Sequence, residues 1–196
     1  DIRTEFGAFK NSQVWFTVIM GVVGFGGMFS VYTYISWTMT EVAGMDQSLI
    51  WVVLMAYGIG MTIGNAFGGW LADRNLEFGI IFALACLIVI LTAFYFLSGH
   101  AIPATICFGC VAFMGSTLVP SLQLRLVHVA GDAQTLAAAL NQSALNIANA
   151  AGATIGGAVV GAGLGYSAPA LAGAMIVGRM ETLAVLALFS PQFWRR

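Results

Sequence analysis

The sequence predicts an all-α polytopic membrane protein in which six transmembrane helices form two inverted three-helix repeats. Three observations predict it. Apolar residues make up 60% of the chain and charged residues 8%, against about 25% charged in an ordinary soluble domain. The charges fall in clumps, leaving uncharged stretches at 11–40, 47–72, 78–99, 101–124 and 133–178. Within two of these stretches glycines recur four apart, the spacing that lets helices in lipid approach closely. A soluble domain of this size has too little interior to hide so much apolar surface.

A crossing of the hydrocarbon takes about 20 apolar residues. Each of the first four stretches therefore fits one helix, at 13–38, 48–72, 78–98 and 101–125. The fifth is too long for one crossing, and Gly161-Ala-Gly-Leu-Gly-Tyr-Ser-Ala-Pro169 supplies a break inside it. That gives helices at 134–162 and 168–190. Residues 1–12 read as the end of a linker, 13–191 as one six-helix unit with repeats of about 13–98 and 101–190, and 192–196 as a tail. The start is polar and mixed, unlike a signal peptide, and points to a preceding segment.

Six crossings put both termini on one side of the membrane. Arg3, Lys10, Arg74, Arg125, Arg195 and Arg196 fall on that side, while the opposite loops hold Glu41, Asp46 and His100 and no Lys or Arg. Positive residues favour the cytoplasm, so the termini are expected there. Trp15 and Trp37 mark opposite ends of the first helix, as interface anchors do. The sequence has no basic patch, so no nucleic-acid partner is expected. Cys86, Cys107 and Cys110 all lie inside expected helices without a nearby His, so they read as packing and no metal site is expected.

In the second helix Gly60, Gly64 and Gly68 stack on one face; in the fifth, Gly152 with Gly156 and Gly157 with Gly161 do the same. These are expected helix-packing residues, on faces that also suit sliding or rocking. Each triplet of helices carries its ladder in the middle helix. With an odd number of crossings per triplet, the two are necessarily inverted, a plan common to many secondary transporters. Asp73-Arg74 closes the second helix, either as a charged stop at the interface or as a gate. In the gating reading Asp73 meets the positive end of the fifth helix, near Ala133, with Asp132 as N-cap.

Gly69-Trp-Leu-Ala-Asp-Arg74 resembles the signature between the second and third helices of each six-helix half of the major facilitator superfamily. Asn141-Gln-Ser-Ala-Leu-Asn-Ile-Ala-Asn-Ala-Ala-Gly152, with Gly156-Gly157 and Gly163-Leu-Gly-Tyr166, resembles helix 11 of its bacterial drug and sugar exporters. Phe29-Ser-Val-Tyr-Thr-Tyr-Ile35 and Thr40-Glu-Val42 resemble their helix 7. The resemblance is to the C-terminal half of drug:proton antiporters of the arabinose-polymer and chloramphenicol exporter kind, over nearly the whole chain. It implies proton-coupled export of a drug-like or sugar-like small molecule by alternating access. It also implies a bacterial inner-membrane location and, as partner, an N-terminal six-helix half or a second copy of this chain. The signature normally continues with Gly and basic residues, whereas Asn75-Leu76-Glu77 follow here, so only the roles of Asp73 and Arg74 carry over.

Two polar or aromatic faces are candidates for substrate. Gln142, Asn146 and Asn149 fall at i, i+4 and i+7 of the fifth helix. Three amides in lipid are costly, so that face meets protein or water, either as interhelical hydrogen bonds or as a cavity lining. Phe25, Phe29, Tyr32 and Ser36 form a stripe on the first helix that reads as packing or as pocket; the resemblance places both helices beside a central cavity. Pro120 kinks the fourth helix, which suits gating, though membrane helices also tolerate proline. Arg179 and Glu181 lie within the last helix, where a central Arg costs about 2.5–3.5 kcal/mol; they are candidates for ion coupling.

The sequence carries no catalytic triad, phosphate loop or His-rich site, and His100 and His128 fall on opposite sides, so neither an enzyme nor a cofactor is expected. No ring of like charges marks a channel. The remaining alternative is a non-transporting six-helix fragment, scaffold or homodimerising half-transporter.

Overall fold

The structure is a computed structural model that describes residues 11–131 and 133–189, with 180–189 as backbone only. The expected tail at 192–196, most of the expected linker end at 1–12 and Asp132 lie outside the described residues. Five helices make up the described chain: α1 (Ser12–Trp37), α2 (Ile50–Leu97), α3 (Ala101–Ala130), α4 (Gln134–Gly161) and α5 (Ala168–Phe189). A π-helical turn, Thr38–Val42, extends α1, and a 3-10 turn, Gln47–Leu49, leads into α2. Among the described residues there is no strand. Four helical stretches, Ser12–Val42, Gln47–Leu97, Ala101–Ala130 and Gln134–Gly161, are long and apolar enough to cross a membrane.

Five helices therefore stand where six were expected, and the difference is local. The expected helices 48–72 and 78–98 are joined into α2, with a single residue, Asn75, outside helical geometry (φ -156°, ψ 93°). The charged Asp73–Glu77 segment suggested a loop, but the backbone leaves the helix for one residue only. Asn75 Oδ1 then accepts from Phe78 N at 3.1 Å, capping the second arm as an N-cap side chain does. The break turns the chain back on itself. Tyr57, on the first arm, has its ring 4.7 Å from that of Phe108. Phe94, on the second arm, has its ring 6.4 Å from the same Phe108. At about 1.5 Å per residue a straight helix would hold those two α2 residues about 55 Å apart.

The bundle is organised by backbone contact. α2 packs on α3 through Gly60, Gly64 and Gly68. A Cβ built at Gly60 would collide with Gly109 O, one at Gly64 would lie 2.9 Å from Phe113 Cα, and one at Gly68 would lie 2.5 Å from Thr117 O and 2.9 Å from the Pro120 ring. Thr117 Oγ1 shares its proton between Phe113 O of its own helix, at 2.8 Å, and Gly64 O across the seam, at 3.2 Å. α4 packs on α1 in the same way, with a Cβ at Gly152 falling 2.7 Å from Gly26 O and 2.9 Å from Ser30 N. α5 closes against α1, where a Cβ at Gly173 would be 2.7 Å from Ser30 Oγ. α1 and α3 form the centre, with Phe25, Met28, Val31, Phe108, Leu118 and Leu122 buried between their neighbours.

Hydroxyl groups fasten the loops to this centre. Ser30 Oγ donates to Pro169 O at 3.0 Å and Thr38 Oγ1 to Tyr166 O at 2.7 Å, so the α4–α5 turn is held by α1. Gly163 and Gly165 take φ of 78° and 86° in that turn, which side-chain-bearing residues adopt at a cost. At the other end Asn11 caps α1, accepting from Gln13 N at 3.0 Å, and its Nδ2 donates to Val129 O of α3 at 2.9 Å.

Gly64→Ala is expected to lower stability by roughly 1–3 kcal/mol through overpacking. Gly58→Ala, on the same arm with nothing within 4 Å, is expected to raise it by about 0.5–1 kcal/mol through helix propensity. Thermal unfolding of the two variants in detergent, which should shift in opposite directions, checks this.

Candidate functional site

The open face of the bundle lies over α1, between α4 on one side and the α2–α3 pair on the other. Helical geometry places it. α1 meets α4 through Gly26, Ser30 and Tyr34, and meets α2 and α3 through Gly24 and Met28. Phe29, Tyr32 and Ser36 fall between those two contact faces. Tyr32 is exposed, while Phe29 and Ser36 are half-buried. Phe25 lies on the same stripe but is fully buried, packed into the core rather than lining the opening.

Tyr32 does not stand alone. Its ring lies 4.9 Å from Tyr57 of α2 and 6.4 Å from Phe108 of α3, an aromatic stack running from the opening into the core. Sequence reading missed Tyr57 and Phe108, because nothing local marks them out from other apolar positions.

Gln142, Asn146 and Asn149 are all exposed along one side of α4. That side is neither the glycine face on α1 nor the face that meets α5. Next to it, Asn141, Ala144 and Ala148 are buried. Tyr34 covers Gly156 and Gly157, with its hydroxyl donating to Ala153 O at 3.1 Å; a Cβ at Gly156 would lie 2.5 Å from its ring and one at Gly157 2.8 Å from its oxygen. Gly161 ends α4 with nothing within 4 Å. A narrow apolar cleft between α1, α4 and α5, lined by Val22, Gly26, Ser30, Ile155 and Ile176, opens away from the amides.

The charged turn lies at the end of the α2 first arm. Asp73 and Arg74 are both exposed, and the Arg74 guanidinium lies 4.2 Å over the Trp70 ring, a cation–π contact. The α4 N-cap position is Ala133, which makes no side-chain cap. Arg179 is exposed on α5, and the Glu181 side chain lies outside the described residues.

Pro120 stands against Gly68 in the α2–α3 seam. It provides no N–H to the carbonyl of Ser116, one turn back. The Ser116 hydroxyl is also buried, without a hydrogen-bond partner.

A sequence profile of the Major Facilitator Superfamily matches residues 2–153. The chain belongs to the Major Facilitator Superfamily. It is 35% identical over 189 residues to the inner membrane transport protein YdhP of Escherichia coli (strain K12), covering 96% of this chain and 48% of that protein. It is 27% identical over 180 residues to a chloramphenicol resistance protein of Streptomyces lividans, covering 90% of this chain and 45% of that one. It is 24% identical over 157 residues to the purine ribonucleoside efflux pump NepI of Salmonella paratyphi B (strain ATCC BAA-1250 / SPB7), covering 79% and 39%. The chain thus spans about half the length of YdhP. This is a family of membrane transporters, and one of these relatives, NepI, is named as an efflux pump.

Ser116→Ala is expected to stabilise the protein by up to about 1 kcal/mol, since it removes a buried hydroxyl without a hydrogen-bond partner. Thr117→Ala, which deletes the bond across the seam, is expected to destabilise it by about 1 kcal/mol. Paired melting curves distinguish the two signs.

Proposed function

We propose that this chain is one half of a secondary active efflux transporter that exports a drug-like or sugar-like molecule in exchange for protons by alternating access. The observation that carries the reading is the exposed row Gln142, Asn146 and Asn149. Exposed amides in a membrane helix need a protein or aqueous neighbour, and here they border the α1 stripe of Phe29, Tyr32 and Ser36. A mainly apolar opening with a few placed polar groups is the usual chemistry of a small-molecule site. The relatives are about twice as long, so an N-terminal six-helix half, or a second copy of this chain, supplies the facing wall.

In this reading the two arms of α2 act as separate crossings, and the unit consists of two inverted three-helix repeats in a bacterial cytoplasmic membrane with both termini cytoplasmic. Asp73 and Arg74, exposed at the turn, meet the other half when that side closes, the carboxylate finding the positive end of a helix there. Pro120, packed against Gly68 a little over a turn before Asp73, is the gating proline of α3 in this reading. Proton coupling is shared between acids of the other half and the Arg179–Glu181 region.

Asn146→Leu is expected to leave insertion intact and to lower proton-driven efflux from vesicles about tenfold, the loss of roughly one hydrogen bond to substrate. Unchanged efflux removes Asn146 from the site. Absence of proton-dependent flux from the unmodified, full-length assembly favours the scaffold reading instead.

A further inference from the structure

Among the described residues Arg125 is the only charged one that is buried. Its guanidinium reaches two other helices. Nη1 lies 3.5 Å from Glu77 Oε1, and Nε donates to Thr17 Oγ1 at 3.3 Å. Thr17 donates its own proton to Gln13 O at 2.9 Å, which leaves its oxygen lone pairs for the arginine. Glu77 lies two residues beyond Asn75, where the helical ladder of α2 is interrupted. At such a break backbone hydrogen bonds no longer fix the direction of one arm relative to the other, so side-chain contacts do.

α3 carries those contacts as a single row. Thr117, Ser121 and Arg125 are four residues apart and share one face. Thr117 lies against Gly68, at the end of the first arm. Ser121 Oγ is 3.6 Å from a Cβ placed on Gly79, at the start of the second. Arg125 holds Glu77 between them. One face of α3 therefore reads the vertex of α2 from both sides, and Thr17 joins α1 to the same point. Glu77 keeps 32% of its side chain exposed, and ion pairs open to solvent add little stability, so binding energy is a weak reason for the pair. A directional fork of N–H donors is a good reason, because it fixes geometry.

We propose that Arg125 is a positioning residue which, through Glu77, sets the angle between the two arms of α2 and so the placement of Asp73 and Arg74. The pair governs the geometry of the chain itself, whatever the cargo; only its consequence for gating rests on the transporter reading.

The test places spin labels at Met61 and Val89, exposed positions on the two arms, in protein with Cys86, Cys107 and Cys110 replaced by alanine and reconstituted in nanodiscs. Distance distributions are then measured for Glu77→Gln, Arg125→Met and the exchanged pair Glu77→Arg with Arg125→Glu. The expected result is a broadened and shifted distribution for each single substitution and a return to the parent distribution in the exchanged pair. Folded single variants with the parent distribution overturn the proposal. So does an exchanged pair no better than the single variants, in fold or in distance. No transport is measured, so failure here leaves the proposed function standing.

Discussion

Between α2 and α3 there is no room for a side chain at Gly60, Gly64 or Gly68. In lipid, helices gain nothing from hiding apolar surface from one another, so association has to come from close packing and from hydrogen bonds that lipid cannot offer. The seam supplies both: backbone lies against backbone, and Thr117 reaches across to Gly64 O. The same solution recurs where Gly152 meets Gly26 and where Gly173 meets Ser30. Remove the small residues and the helices separate by the width of a methyl group, which breaks the hydroxyl-to-carbonyl bonds as well.

This constraint explains how surfaces are divided. The closest helix contacts are lined by glycine, and polar groups beside them, such as Ser30 and Thr117, hydrogen-bond across the seams. Most helix hydroxyls turn inward to their own carbonyls, as Thr33, Thr62, Thr92 and Thr154 do. The α4 amides fall on a face that meets neither α1 nor α5. Asn65, the amide on the first arm of α2, satisfies itself by donating to Met61 O at 3.1 Å. A row of three exposed amides on one helix is therefore the feature that lipid alone does not accommodate.

Much of the fold was legible because charge depletion and glycine breaks report directly on what lipid permits. The first helix was expected at 13–38 and ends at Trp37 with a π turn following; the Gly161–Pro169 break separates α4 from α5. The division of α2 into two arms was legible from Asp73, Arg74 and Glu77; that a single non-helical residue, Asn75, makes the turn was not, because charge reports solvation and not hydrogen bonding. In the candidate site, the i, i+4, i+7 spacing put three amides on one face, and all three are exposed there, since periodicity alone fixes a face. It did not say that Phe25 would be covered while Tyr32 is open, because what covers a face depends on neighbouring helices. Tyr57, Phe108 and the Arg125–Glu77–Thr17 contacts were beyond reach for the same reason: each joins residues distant in sequence, and only the reversal at Asn75 brings them together.

The central claim is that the α4 amide row faces water or protein rather than lipid. Spin labels placed singly at 142, 146, 147 and 149, in the reconstituted full-length transporter, report whether each position collides with oxygen, enriched in lipid, or with a water-soluble nickel chelate. The account predicts nickel-dominated or doubly shielded signals at 142, 146 and 149 and an oxygen-dominated signal at 147. Oxygen dominance at all four positions would contradict it.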